Sequence, residues 1–466
     1  MSKKKLILAG LVVALLTGAV QSQTTKFPYP KKIKYPYGFM PKTLTSEHFD
    51  SWYKSYKSSQ LLQQCNGGIR TDAYSEENGV TKVESMGWAM IIAAYMGDKT
   101  TFDGLYKFYK SKVQGHGMMA WKVTCGGIND GGSASDGDLD VAFAMVVASW
   151  QWGDSYKDEA VKVINTVKKL IVNCGGTSVI AGGMAGMGVY GGCNETDISY
   201  HTPAFFRCFA EVTKDNAWSK LADDTYTLLN NGANPTTGLI PDWQSLNGGQ
   251  ASGGRNHSYG FDACRAPWRI ALDYLWNGNE KAKAWCTKIS SWAYGVGPAN
   301  IKDGYSLDGR ATGRYHNMSY VGAFAVAAMC NSQEVADAFA TEVARMRFDN
   351  YWYHGFLGNC YMMTMIGNMW HVRDAESTFV NKKYQNTANN SVTVKNLRNR
   401  KFELSGITNG SSISIINMQG QLAKSIIING KQNCLIDLST LENGCYILSI
   451  HEKNNKTGMR QIISVF

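Results

Sequence analysis

The chain runs to 466 residues, 44% apolar and 18% charged, which supplies a substantial core and excludes a disordered or low-complexity protein. Its net charge of +10 sits at the ends: residues 1–34 hold seven lysines and no acid, and 391–466 hold nine lysines and arginines against four acids. The body between them is close to neutral, so no phosphate-neutralising stripe is present and nucleic acid is not an expected partner.

The first residues read as a secretory signal over 1–22: Lys3, Lys4 and Lys5, an apolar run from Leu6 to Val20, and cleavage after Ser22. No later stretch approaches the roughly twenty apolar residues of a membrane span, so none is expected in the mature chain. Export permits disulfides, and eleven cysteines leave at least one unpaired without fixing the connectivity. None forms a CxxC pair, which argues against zinc.

From about 45 to 372 the apolar periodicity is helical. It predicts helices over 85–96, 139–152, 158–172, 202–212, 216–229, 267–276, 280–294, 318–329, 333–347 and 358–369, separated by Gly/Asn/Asp loops. That succession suggests stacked helical hairpins, open or closed into a toroid. Residues 375–390 are polar and aperiodic, as a linker would be, and 391–466 read as short strands punctuated by Asn-Gly and Gln-Gly turns, hence a small all-β, sandwich-like module.

Several segments could carry chemistry. In Ser135-Asp136-Gly137-Asp138-Leu139-Asp140, acids alternate at the start of an apolar helix. Taken alone this is a capped helix N-terminus. A calcium loop is excluded because Val141 and Val147 stand where that loop needs Gly and Glu. Gly186-Met187-Gly188-Val189-Tyr190-Gly191 satisfies GxGxxG without a convincing βαβ context, and His201, His257 and His316 lack metal-ligand spacing. The high aromatic content, with 13 Trp and 24 Tyr, suits a groove lined with flat rings.

The run Ala134-Ser135-Asp136-Gly137-Asp138, with Val141-Ala142 after it, resembles the signature of glycoside hydrolase family 8, with Val141 replacing Ile or Met. Val83-Glu84-Ser85-Met86-Gly87-Trp88 is similar to the family's acid segment, although Val83 and Ser85 replace its Ser and Gly. Tyr259-Gly260-Phe261-Asp262-Ala263-Cys264-Arg265-Ala266-Pro267-Trp268-Arg269 is similar to its Tyr-Asp-Ala-x-Arg-x-Pro-Trp-Arg segment, and Met119-Ala120-Trp121-Lys122 and Ser199-Tyr200 match as well. The resemblance implies an all-α (α/α)6 barrel over 23–374, with no metal or cofactor.

It implies Glu84 as general acid, Asp262 as general base and Asp136 as the residue that binds sugar hydroxyls and the distorted ring. The implied substrate contacts are Trp121, Tyr200 and Arg265, and Tyr361 and Trp370 are further aromatic candidates. Inversion at the sugar needs the two carboxyls about 6.5–9.5 Å apart. The implied function is a secreted, monomeric, inverting endo-β-1,4-glycan hydrolase. Cellulose or mixed-linkage β-glucan is favoured, because Asp138 and Asp140 look more like the glucanase and chitosanase members than the xylanases. The alternatives are a xylanase, a chitosanase or a non-catalytic glycan-binding barrel. The C-terminal module resembles the type IX secretion sorting domain of Bacteroidetes-type bacteria, through Ile415–Gly420, Leu441–Tyr446 and Gln461–Phe466, with a carbohydrate-binding β-domain as the alternative. A secretion-machinery partner and a cell-surface or extracellular location follow from that likeness.

Overall fold

The computed structural model describes residues 25–376 and, apart from short turns, 393–465. The expected signal at 1–22 and nearly all of the expected linker at 375–390 lie outside the described residues. The chain forms two compact units, divided after His371.

Among the described residues the first unit contains twelve α-helices: α1 Ser46–Ser58, α2 Val83–Met96, α3 Lys99–Ser111, α4 Ser135–Trp152, α5 Asp154–Val167, α6 Pro203–Thr213, α7 Asn216–Gly232, α8 Ala266–Asn277, α9 Glu280–Val296, α10 Met318–Ala328, α11 Gln333–Arg345 and α12 Trp352–Met365. Their composition sorts them into two rings. Helices such as α2 (VESMGWAMIIAAYM) and α10 (MSYVGAFAVAA) are apolar around the full circumference and almost wholly buried. By contrast, α3 and α11 bury one stripe only, Phe102, Leu105, Tyr106 and Tyr109 in α3. A helix apolar all round must be enclosed, and one with a single stripe must lie outside it. Accordingly α2, α4, α6, α8, α10 and α12 pack on one another in sequence, α12 returns to α2, and each is backed by an outer helix; α1 closes the circle behind α12. This is the (α/α)6 barrel.

The sequence pattern missed α1 and α3, whose aromatic, serine and threonine residues have middling helix propensity and are held by docking instead. It also ran the fifth helix on to Val172, where the chain turns at Lys168–Leu170 into a strand, Ile171–Cys174, paired with Thr177–Ile180. The last helix begins at Trp352, six residues earlier than its periodicity suggested. It stops before Gly367, whose φ of +72° and close approach to the carbonyl of Ile33 exclude a side chain. The disulfides Cys65–Cys125 and Cys174–Cys193 tie short hairpins that precede inner helices.

An extended strap, residues 25–40, crosses the C-terminal ends of the inner helices. Phe27 lies against Trp370 with ring centroids 4.6 Å apart and donates its N–H to Gln151, Ile33 bonds Gly367, and Phe39 bonds Met329.

The described residues of the second unit form seven strands in two antiparallel sheets. One orders Thr393–Leu397, Lys401–Ser405 and Asn433–Asp437; the other orders Leu422–Ile427, Ser412–Asn417, Gly444–His451 and Met459–Val465. Alternate residues, among them Phe402, Leu404, Ile413, Ile415, Leu448 and Ile450, form its core.

Candidate active site

The residues singled out by motif gather at one end of the barrel, where all the inner helices begin. Glu84 is in the first turn of α2 and Asp136 in the first turn of α4, while Tyr200 and Asp262 lie just before α6 and α8. Helix N-termini present free N–H groups and positive dipole ends, so a cluster of carboxylates is placed there at the least cost.

Two glycines set the closest approach. A Cβ at Gly137 would stand 2.5 Å from the Val83 carbonyl carbon and 2.6 Å from the Glu84 nitrogen, and one at Gly87 would stand 2.6 Å from the Asp140 Cβ. Without side chains there, α2 and α4 touch backbone to backbone, which brings Glu84 beside Asp136.

Glu84 accepts a hydrogen bond at Oε1 from Trp121 Nε1, 3.1 Å away, and its buried Oε2 has no hydrogen-bond partner among the described residues. Burial, and then the neighbouring Asp136 carboxylate, push its pKa up to about 8. At neutral pH Glu84 therefore carries its proton. The alkaline limb of kcat/KM should fall with a midpoint near pH 8 as this proton is lost, and a profile flat from pH 7 to 9 would remove Glu84 from the acid role.

Asp262 is held from two sides. Its Oδ1 accepts from Arg265 Nη2 at 3.0 Å and its Oδ2 from Trp243 Nε1 at 2.9 Å, while its side chain keeps 36% exposure. Arg265, only 1% exposed, also pairs with Asp136 through Nη1 and with Asp197 through Nη2 at 3.4 Å, and lies over the Tyr200 ring at 5.5 Å. One guanidinium thus faces three carboxyls. Burial, and then the charge of Asp262, hold the Asp197 pKa well above the usual carboxylate range.

The acids that follow in the alternating run have other tasks. Asp140 forms a two-pronged pair with Arg269 at 2.7 and 2.8 Å, linking α4 to α8. Asp138 accepts from the Tyr109 hydroxyl at 2.6 Å and the Met119 amide at 3.2 Å, and burial pushes its pKa up to about 7. It thereby pins the segment that carries Trp121.

Two of the aromatic candidates lie in the core. Tyr361 and Trp370 are each 0% exposed: Tyr361 packs between Trp268 and α10, and Trp370 under the strap against Phe27 and Tyr95, so no sugar can stack on either. Arg265 is 1% exposed and engaged by three protein carboxylates. Tyr200 is nearly buried, edge-on to Trp243 and flat beneath Arg265.

The sequence reading did not find Asp197, Asp242 or Trp243. Pro241-Asp242-Trp243, an acid beside a tryptophan in a loop, was the available signal.

The other motifs fall into place as scaffold. The GxGxxG stretch forms a hairpin, Gly183–Ala185 against Gly188–Tyr190, with no helix after it. His201 is buried, accepts from the Ile180 amide, and has its pKa lowered to about 3 by that burial. No cluster of His, Cys, Asp or Glu among the described residues could hold a metal ion.

Comparison with known proteins agrees with this geometry. The profile of "Glycosyl hydrolases family 8" matches residues 27–372, and that of "Secretion system C-terminal sorting domain" matches 382–464. Endoglucanase 2 of Ruminiclostridium josui is 33% identical over 342 residues, 70% of this chain and 73% of that protein. Beta-glucanase of Niallia circulans is 30% identical over 403 residues, 79% of this chain and 97% of that one. Among solved structures, the apo β-1,3-1,4-glucanase of Paenibacillus sp. X4 superposes with a TM-score of 0.66 at 28% identity, covering 74% of this chain and all of that one.

Proposed function

Because the chain belongs to glycoside hydrolase family 8 and carries a C-terminal sorting domain for export, we propose that this glycoside hydrolase is an inverting endo-β-1,4-glucanase acting outside the cell on cellulose or mixed-linkage β-glucan. The observation that carries this reading is the unequal pair of carboxyls: Glu84 buried and protonated, Asp262 open to the groove and bonded by two donors. Two carboxyls in unlike surroundings are what acid and base catalysis on one substrate require.

In the proposed reaction, the Glu84 carboxyl protonates the glycosidic oxygen as the bond to the anomeric carbon breaks. A water attacks that carbon from the opposite face and gives its proton to Asp262. Asp136 is fixed by Arg265 beside Glu84, and its charge helps Glu84 keep its proton. Trp121 supports Glu84 through its indole N–H and offers its partly exposed ring to a sugar face. The glucan preference rests on the names of the relatives above. Asp138 and Asp140 do not bear on it directly, since both are buried and bonded to protein groups.

Reducing-sugar release is expected from carboxymethylcellulose or barley β-glucan and at least tenfold less from xylan and chitosan. The first product, followed by proton NMR, is expected as the α-anomer. Initial formation of the β-anomer would overturn inversion, and preferential release from xylan or chitosan would overturn the substrate.

A further inference from the structure

Trp243 and the residue before it act on the same turn. While Trp243 bonds the side chain of Asp262, Asp242 Oδ1 accepts the backbone N–H groups of Gly260 at 2.9 Å and Ala263 at 2.7 Å, which bracket Phe261 and Asp262. Its other oxygen accepts from Asn256 Nδ2 at 2.5 Å. The segment is anchored in turn, the Asp242 amide donating to Ser258 and the Trp243 amide to Asn256. Gly260 belongs to the same arrangement, because a Cβ there would run into Asp242 Oδ2. Asp242 is 5% exposed and forms no ion pair among the described residues, so a stable surface charge is not its purpose.

We propose that Asp242 is a positioning residue for the general base: by gripping the two amides on either side of Phe261–Asp262, it fixes the turn from which the Asp262 carboxylate is held between Arg265 and Trp243. The proposal rests on Asp262 being the base.

The requirement is for an acceptor oxygen, not for a charge. Burial and then the Asp262 carboxylate push the Asp242 pKa up to about 7, so it is largely neutral under mildly acid conditions and still accepts both N–H groups at Oδ1. An amide oxygen can serve the same end, which makes the conservative variant informative.

Asp262→Ala, Asp242→Ala, Asp242→Asn and Gly260→Ala are made in the full chain and compared at pH 6 on barley β-glucan, with melting temperature measured for each. Asp262→Ala is expected to lose at least 100-fold in kcat. Asp242→Ala is expected to lose about 30-fold or more in kcat with KM within threefold, and Asp242→Asn to recover to within about threefold of wild type. Gly260→Ala, which crowds the same carboxylate, is expected to follow Asp242→Ala. If Asp242→Ala does not fold, the contrast between Asp242→Asn and Gly260→Ala carries the test. Equal kcat in Asp242→Ala and wild type, or equal loss in the alanine and asparagine variants, would overturn the positioning role while leaving Asp262 as base. Activity that survives Asp262→Ala would overturn the base and the positioning role together.

Discussion

Replacing Glu84 by Gln is expected to lower kcat on β-glucan by about 10³-fold or more and, at the same time, to raise the melting temperature at neutral pH. Glutamine keeps the oxygen that accepts from Trp121 but has no proton to give to the leaving group. The stability effect follows from the direction of the pKa shift. Glu84 has a folded value of about 8 against an ordinary 4.5. Below pH 4.5 both states are protonated and the site carries no penalty. Between pH 4.5 and 8 the unfolded chain gains by ionising while the folded chain does not, so stability is lost across that window. At pH 7 the accumulated loss is on the order of 3 kcal/mol. A residue that cannot ionise recovers it, which corresponds to about 5 °C in a domain of this size. The thermal scan should therefore show a gain at pH 7–8 that vanishes at pH 4. An equal Tm at both pH values would contradict the buried, protonated acid, and undiminished turnover would contradict its role.

Arg265 should respond in the opposite sense. Removing it, as in Arg265→Met, leaves Asp136 and Asp197 buried without their cation and Asp262 without one of its two donors. Breaking a buried pair by removing one partner typically costs about 3–5 kcal/mol. Arg265→Lys keeps the charge but not the fork that reaches three carboxyls from one plane, so kcat should fall by about 100-fold even where the fold survives. Wild-type turnover in the lysine variant would show that the guanidinium geometry is immaterial. A Tm unchanged in Arg265→Met at pH 8 would show that the three carboxyls do not depend on it.

Helical hairpins were legible from periodicity, and their closure into a barrel from the family motifs; the contrast between inner helices apolar all round and striped outer ones shows in the structure. The elements missed, α1 and α3, bury regularly spaced aromatics but are rich in serine, threonine and tyrosine, so their helicity depends on neighbours that periodicity does not reveal. In the site, Glu84, Asp136 and Asp262 were found because each lies in a short, distinctive run at the head of an inner helix. Asp197, Asp242 and Trp243 were not, because their roles exist only across contacts between separate loops: Arg265 to Asp197 spans 68 residues of sequence. Tyr361 and Trp370 failed for a related reason. An aromatic at the end of a barrel helix looks the same in sequence whether it faces a groove or a core, and the strap that covers Trp370 lies more than 300 residues earlier in the chain.

That strap also determines when folding can finish. Phe27 rests on Trp370 and Ile33 on Gly367, so the first structured residues of the barrel are completed by nearly its last. During synthesis the growing chain can form individual helical hairpins, but the ring cannot be sealed until α12 and the residues beyond it have emerged. Contacts of such sequence separation slow folding, because a long loop must be closed before they yield any energy. The apolar inner helices stay exposed for that interval, which makes the unfinished barrel vulnerable to aggregation. Truncations that remove Phe27 or Trp370 should therefore impair soluble yield far more than their distance from the carboxyl cluster suggests.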